Sequence, residues 1–149
     1  MSKVRYGFIG AGAIAHVAAK SVQGKDNSCV VAVSDPNSER TKDLCDAFEI
    51  PKSYENAEDL LADADVDAVY IAVPNKFHAP LSIQSLEAGK HTLLDKPFAL
   101  NINEANDVAK AAAASGKLFM LGMNQRYRED SQKIRSLVQG RYNVSFDDI

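Results

Sequence analysis

Apolar runs recur along the chain, and helix-patterned stretches fill the gaps between them. Val4, Tyr6, Phe8 and Ile9 predict a first strand over 4–9, followed by a helix from Ala13 to about Val22. The continuous β-branched run 28–33 (SCVVAV) reads as a strand buried on both faces of a parallel sheet. It closes at Ser34-Asp35-Pro36-Asn37, where Asn37 or Ser38 can cap a helix to about Phe48. Tyr54 marks a weak short strand, and Asn56 opens a small acidic helix through Leu61. Residues 66–73 (VDAVYIAV) predict a further buried strand stopped by Pro74, then a helix over 76–88 that ends at Gly89. A strand over 91–94, an alanine-rich helix over 102–115, a strand over 118–121 and a helix of roughly 130–139 complete the series. Such alternation implies right-handed βαβ crossovers and an α/β fold with a doubly wound parallel sheet.

The first strand runs straight into Gly10-Ala11-Gly12 and a helix start, which is the strand, glycine turn and helix of a Rossmann dinucleotide-binding fold. Gly10 can take the tight turn because it has no Cβ. Gly12 lets backbone approach a phosphate, and the N–H groups around Ala13 and Ile14 open the helix whose N-terminus favours an anion. Ala15 is small enough for close packing of helix on strand. Asp35 lies 20 residues beyond Ala15, the separation at which a carboxylate meets the adenosine ribose. It favours NAD over NADP by repelling a 2′-phosphate, although the residue also reads as a plain turn former before Pro36. Arg40 leaves room for NADP, or forms a surface ion pair.

Composition narrows the class further. At 149 residues the chain is long enough for one sizeable core, with residues 1–140 expected to form the dinucleotide-binding domain. The 46% hydrophobic and 25% charged content is that of an ordinary globular protein, and a net charge of −3 favours neither nucleic acid nor an anionic membrane as partner. No apolar run approaches a membrane span, and MSKVRYGF lacks the apolar core of a signal peptide. Two cysteines, Cys29 and Cys45, without a CxxC or Cys/His cluster, read as reduced thiols of a cytoplasmic protein. The three histidines show no metal-ligand spacing, so no metal is expected; His16 and His91 are assigned to structure. No nucleophile motif of a hydrolase occurs.

Residues 73–98 carry a more specific pattern: Pro74-Asn75 with His78, then Ala88-Gly89-Lys90-His91, then Asp95-Lys96-Pro97. With the glycine motif, Asp35 and Asn124-Gln125-Arg126-Tyr127, this resembles the N-terminal domain of the Gfo/Idh/MocA oxidoreductases over roughly residues 4–137. Asp95 stands where that family usually has Glu. The resemblance implies an NAD(P)-dependent oxidoreductase that moves hydride between nicotinamide and a secondary alcohol or ketone of a sugar or cyclitol. It implies that Lys96 contacts the substrate near the transferred hydride, that Pro74 and Asn75 border the cofactor, and that His78 lies toward the nicotinamide. Arg126 is either a fork toward cofactor or substrate or an exposed interdomain arginine. A lysine at a strand's carboxyl end can orient a substrate hydroxyl and stabilise alkoxide character, and partial desolvation beside the cofactor would suit it to proton transfer. Without the family pattern, Lys96 is an exposed turn residue and His78 a capping or surface residue.

The family continues into a second α/β domain that carries most substrate contacts and the oligomerisation surface. Residues 141–149 are therefore expected to be a tail leading to a domain absent here. Truncation, an altered reading frame and a naturally short protein all fit that tail. A second reading follows: a stand-alone NAD-binding module or sensor subunit, which binds NADH and turns over no polyol.

Overall fold

A computed structural model describes residues 3–142. Six parallel strands form one sheet in the order β3-β2-β1-β4-β5-β6: β1 (Val4–Ile9), β2 (Ser28–Ser34), β3 (Lys52–Tyr54), β4 (Ala68–Ile71), β5 (His91–Asp95) and β6 (Phe119–Gly122). Chain order reverses between β1 and β4, and that switch point opens a crevice beyond the strands' carboxyl ends. The helices are α1 (Ala13–Val22), α2 (Ser38–Phe48), α3 (Ala57–Ala62), α4 (His78–Glu87), α5 (Ile102–Ser115) and α6 (Glu129–Tyr142). The expected Rossmann-type sheet is therefore present. Residues 143–149 of the expected tail lie outside the described residues.

Local chemistry sets the helix starts. Asn37 accepts from the Glu39 and Arg40 N–H groups, Asn56 from Asp59 N–H, and Asn101 from Glu104 N–H, so three helices open on an asparagine cap. Gly89 and Gly116 stop the preceding helices at φ values of 74° and 65°. Two expected boundaries shift. β4 pairs only over Ala68–Ile71, although the apolar run extends over 66–73: Val66 is buried below the ladder, and Ala72 turns toward the glycine loop. Residues Asn75–Phe77 form a short 3-10 turn, so the α-helix begins at His78 instead of 76.

Each sheet face carries its own core. Phe8, Val30, Val33 and Tyr70 pack against Ala15 and Ala19 of α1 and Leu44 of α2. Ile9, Ala32, Val69, Ile71 and Leu94 pack on the other face with Leu60 and Leu61 of α3. Alanine on the inner side of α1 brings the glycine turn close to β1, as the small residue at the third motif position requires.

Charges gather at the opposite, amino-terminal edge of the sheet. Arg5 donates to both carboxylate oxygens of Asp67 and to Asp65, while Lys52 donates to Asp63 and Asp65. Asp63 also accepts from Tyr54 Oη and from Asp65 N–H, and its side chain is only 7% exposed. Lys90 is buried there as well and donates to the Asp63 and Val66 carbonyls; burial pulls its pKa down. The Lys52 hydrogen bond holds Asp63 at about 2, and the Arg5 hydrogen bond holds Asp67 at about 2. Both acids are depressed, so their stabilisation is complete above the unfolded carboxylate value and vanishes as pH falls through the folded one. For Asp63 the shift corresponds to about 2 kcal/mol at neutral pH. Urea midpoints are expected to fall steeply between about pH 4 and pH 2, and Asp63→Asn is expected to flatten that slope and lower stability at pH 7 by about 2 kcal/mol. An unchanged slope in the variant would remove Asp63 from this role.

Candidate active site

The carboxyl ends of β1, β2 and β4 enclose a cleft of about 650 Å³. Gly10 turns at φ 100°, its N–H donating to the Ser34 carbonyl, and a Cβ added there would lie 2.3 Å from the Ala72 carbonyl oxygen. Only glycine fits this position. Gly12 differs: it has ordinary extended backbone, and a Cβ would meet nothing within 4 Å. Ala11 is buried, whereas Ala13 and Ile14 are exposed at the first turn of α1, where the helix N–H groups have no intrahelical partner.

Asp35 joins the two loops that bracket this cleft. Its Oδ2 accepts from Ala11 N–H at 3.0 Å and its Oδ1 from Asn37 N–H at 2.9 Å. The carboxylate keeps further lone pairs for hydroxyl donors. Arg40 lines the same cleft, as does Pro74, while Phe77 and Leu81 supply apolar wall. Ser34 Oγ, 2% exposed at the base, has no hydrogen-bond partner among the described residues. A glycine that admits no Cβ, an adjacent open glycine, a carboxylate at the second strand's end and an orphaned buried hydroxyl together fit a dinucleotide's pyrophosphate and ribose.

A second cleft of about 360 Å³ lies beside α1 and beneath the end of β5. Asp95, half-buried, and Lys96, exposed, both border it with Ile14, Tyr70, Gly122 and Asn124. Lys96 stands exposed at the end of β5, its side chain free to meet a ligand in that cleft. Tyr70 was not singled out from sequence, where it reads as one more apolar strand position. Its ring stacks edge-on against Phe8 at 5.1 Å, and burial, aided by Asp95, pushes its pKa to about 12.

His78, Arg126 and Asn75 are not among the residues lining these two clefts. His78 is fully buried, and both ring nitrogens sit on backbone carbonyls, so its side chain meets the protein and does not open on the cleft. Arg126 lies exposed in the short turn Asn124–Tyr127 and borders a separate recess against Gln132 and Ser136 of α6, away from the glycine turn. Asn75 is exposed at the start of the 3-10 turn, next to Pro74. His91 Nδ1 accepts from Leu118 N–H, and the His16 ring packs on Phe48, so both have structural partners. Cys29 and Cys45 are free thiols, and no cluster of metal-ligating side chains occurs among the described residues. No described helix is long and apolar enough to cross a membrane.

A family model described as an oxidoreductase family with an NAD-binding Rossmann fold, Gfo/Idh/MocA, matches residues 4–123. Myo-inositol 2-dehydrogenase of Thermotoga maritima is 26% identical over 136 residues, covering 91% of this chain and 41% of that protein. The NADP(+) scyllo-inositol 2-dehydrogenase of Bacillus subtilis is 26% identical over 132 residues, 89% of this chain and 40% of the relative. The crystal structure of GenD2 from gentamicin A biosynthesis, in complex with NAD, superposes with a TM-score of 0.90 at 25% identity, over 95% of this chain and 40% of that one. The chain thus spans about two fifths of the length of the curated relatives it matches.

Proposed function

The chain belongs to the Gfo/Idh/MocA oxidoreductase family as its NAD(P)-binding Rossmann domain, and on that premise we propose that it holds NAD for hydride exchange with a secondary alcohol of a sugar or cyclitol. The observation that carries the reading is Asp35 at the end of β2, bonded to the glycine turn and facing the cleft. Gly10, Ala11, Gly12, Ala13 and Ile14 would cradle the pyrophosphate through backbone N–H groups. Pro74 and Asn75 would border the dinucleotide. The remaining lone pairs of Asp35 would accept from the adenosine ribose hydroxyls, and its charge would oppose a 2′-phosphate. Arg40 is the residue in the same cleft that would serve NADP instead; Asp35 outweighs it because it stands at the ribose position itself.

When bound, nicotinamide supplies the hydride acceptor. Lys96 Nζ would donate a hydrogen bond to the substrate oxygen, steady negative charge on it and relay the released proton onward to solvent, losing one proton as it gains another. Asp95, one residue away at the same cleft, would keep that end polar. Arg126, placed elsewhere, takes no part in this reading. Substrate contacts would come from the portion of the relatives that this chain does not span, so the chain alone would bind NADH without oxidising inositol or glucose. The free thiols and the glycine-loop cofactor site suit a cytoplasmic setting.

Titration of the purified chain into NADH, read by nicotinamide fluorescence, is expected to saturate, with NADPH binding more weakly. Lys96→Ala is expected to leave NADH affinity within about threefold, since the side chain is exposed and meets substrate in this reading, not the pyrophosphate. Absence of saturable binding up to about 1 mM would refute the dinucleotide assignment. Rapid reduction of NAD by inositol or glucose with this chain alone would refute the dependence on a further substrate-binding part.

A further inference from the structure

His78 is 1% exposed, yet its two ring nitrogens reach two different strand ends. Nδ1 lies 2.6 Å from the Pro97 carbonyl oxygen, and Nε2 lies 2.9 Å from that of Val73. Val73 follows β4 and borders the larger cleft, where its neighbour Ala72 packs against Gly10. Pro97 follows β5 and is bonded to Lys96, which borders the smaller cleft. No other side-chain hydrogen bond among the described residues joins these segments. Beyond Asp95 the chain has left the sheet ladder, and Lys96 and Pro97 are both exposed, so the ring supplies an anchor that strand pairing does not. Both partners are carbonyl oxygens, which only accept, so a ring N–H facing either one donates to it.

We propose that His78 is a positioning residue that locks the backbone of the Lys96–Pro97 turn to the wall of the dinucleotide cleft, so that this backbone, which Lys96→Ala leaves in place, stands at a fixed distance from the nicotinamide end. The proposal rests on the dinucleotide reading above. It gives the ring two separable tasks. The Val73 bond holds the wall shared by any ligand with an ADP moiety. The Pro97 bond holds only the turn that meets the nicotinamide end. A histidine serving packing alone would support both ends without distinction.

Two near-isosteres divide the tasks. His78→Gln places an amide nitrogen near the Nε2 position and keeps a donor toward Val73; His78→Asn places one near Nδ1 and keeps a donor toward Pro97. The probes are NADH and ADP-ribose, which lacks the nicotinamide ring, each titrated by calorimetry. With H78Q, ADP-ribose affinity is expected within about twofold of the parent and NADH affinity about tenfold weaker. With H78N, both ligands are expected to weaken by the same factor. Equal losses for both ligands in H78Q, or no loss in either variant, would overturn the positioning role. If neither variant folds, the parent protein decides through the ring ¹⁵N resonances of His78. Both nitrogens are expected to shift with NADH and Nε2 alone with ADP-ribose, whereas an Nδ1 signal indifferent to NADH overturns the proposal. If the parent binds neither probe, the dinucleotide reading fails and takes this proposal with it.

Discussion

Gly10→Ala is expected to cost at least about 3 kcal/mol of stability and to lower NADH affinity more than 100-fold. The backbone at φ 100° is strained for any residue with a Cβ, at about 1–2 kcal/mol. The added methyl would also lie 2.3 Å from the Ala72 carbonyl oxygen, a backbone atom that cannot rotate away. Relief requires β1 and β4 to part at their carboxyl ends, which spoils the hydrogen bond from Ala72 N–H to the Ile9 carbonyl. Gly12→Ala is the informative contrast. Its Cβ meets no protein atom within 4 Å and its backbone is ordinary, so stability should stay within about 0.5 kcal/mol of the parent. In the proposed site the methyl would instead enter the space of the pyrophosphate, so NADH affinity is still expected to drop at least about tenfold. Urea denaturation and NADH titration of the two variants separate the effects. A Gly12→Ala protein that binds NADH normally would show that the phosphates lie elsewhere.

Asp35→Ser is expected to weaken NADH binding about 100-fold without producing an NADPH-specific protein. The carboxylate accepts from Ala11 N–H and Asn37 N–H, and hydrogen bonds to a charged group are worth about 1.5–3 kcal/mol each. Serine reaches one of these donors at most, so the glycine turn and the start of α2 lose their common anchor. Removal of the charge relieves repulsion of a 2′-phosphate, and Arg40 borders the same cleft. The ratio of NADPH to NADH affinity should therefore rise while both stay below the parent's affinity for NADH. Calorimetry with the two cofactors reads this directly. An NADPH affinity in the variant equal to the parent's NADH affinity would mean that Asp35 selects the cofactor without supporting the loop.

The parts of this structure legible in advance are those set by near neighbours in sequence. The glycine turn, the asparagine caps at 37 and 56, the glycine stop at 89 and the helix over 102–115 all follow from residues within one turn of one another. The limits of β4 were not legible, because hydrophobicity reports burial, and Val66 and Val73 are shielded by neighbours outside the ladder. His78 was legible as a residue of the site region but not in what it does: its partners lie 5 and 19 positions away, and both are backbone carbonyls that no pattern of side chains records. The Arg5–Asp67 pair spans 62 positions, and Lys90 is a buried cation holding carbonyls 24 and 27 positions back. A single sequence carries no trace of such pairings until the strands are aligned.

The sheet is polarised. Its amino-terminal edge is tied by Arg5, Lys52, Asp63, Asp67 and Lys90, while Gly10, Asp35, Val73 and Lys96 all stand at the other. The ionic belt and the two clefts thus occupy separate ends of the same strands. Apart from Gly10, residues of the carboxyl edge can change to suit another ligand without touching the ionic belt. Substitutions that rework the belt can, in turn, leave the clefts untouched.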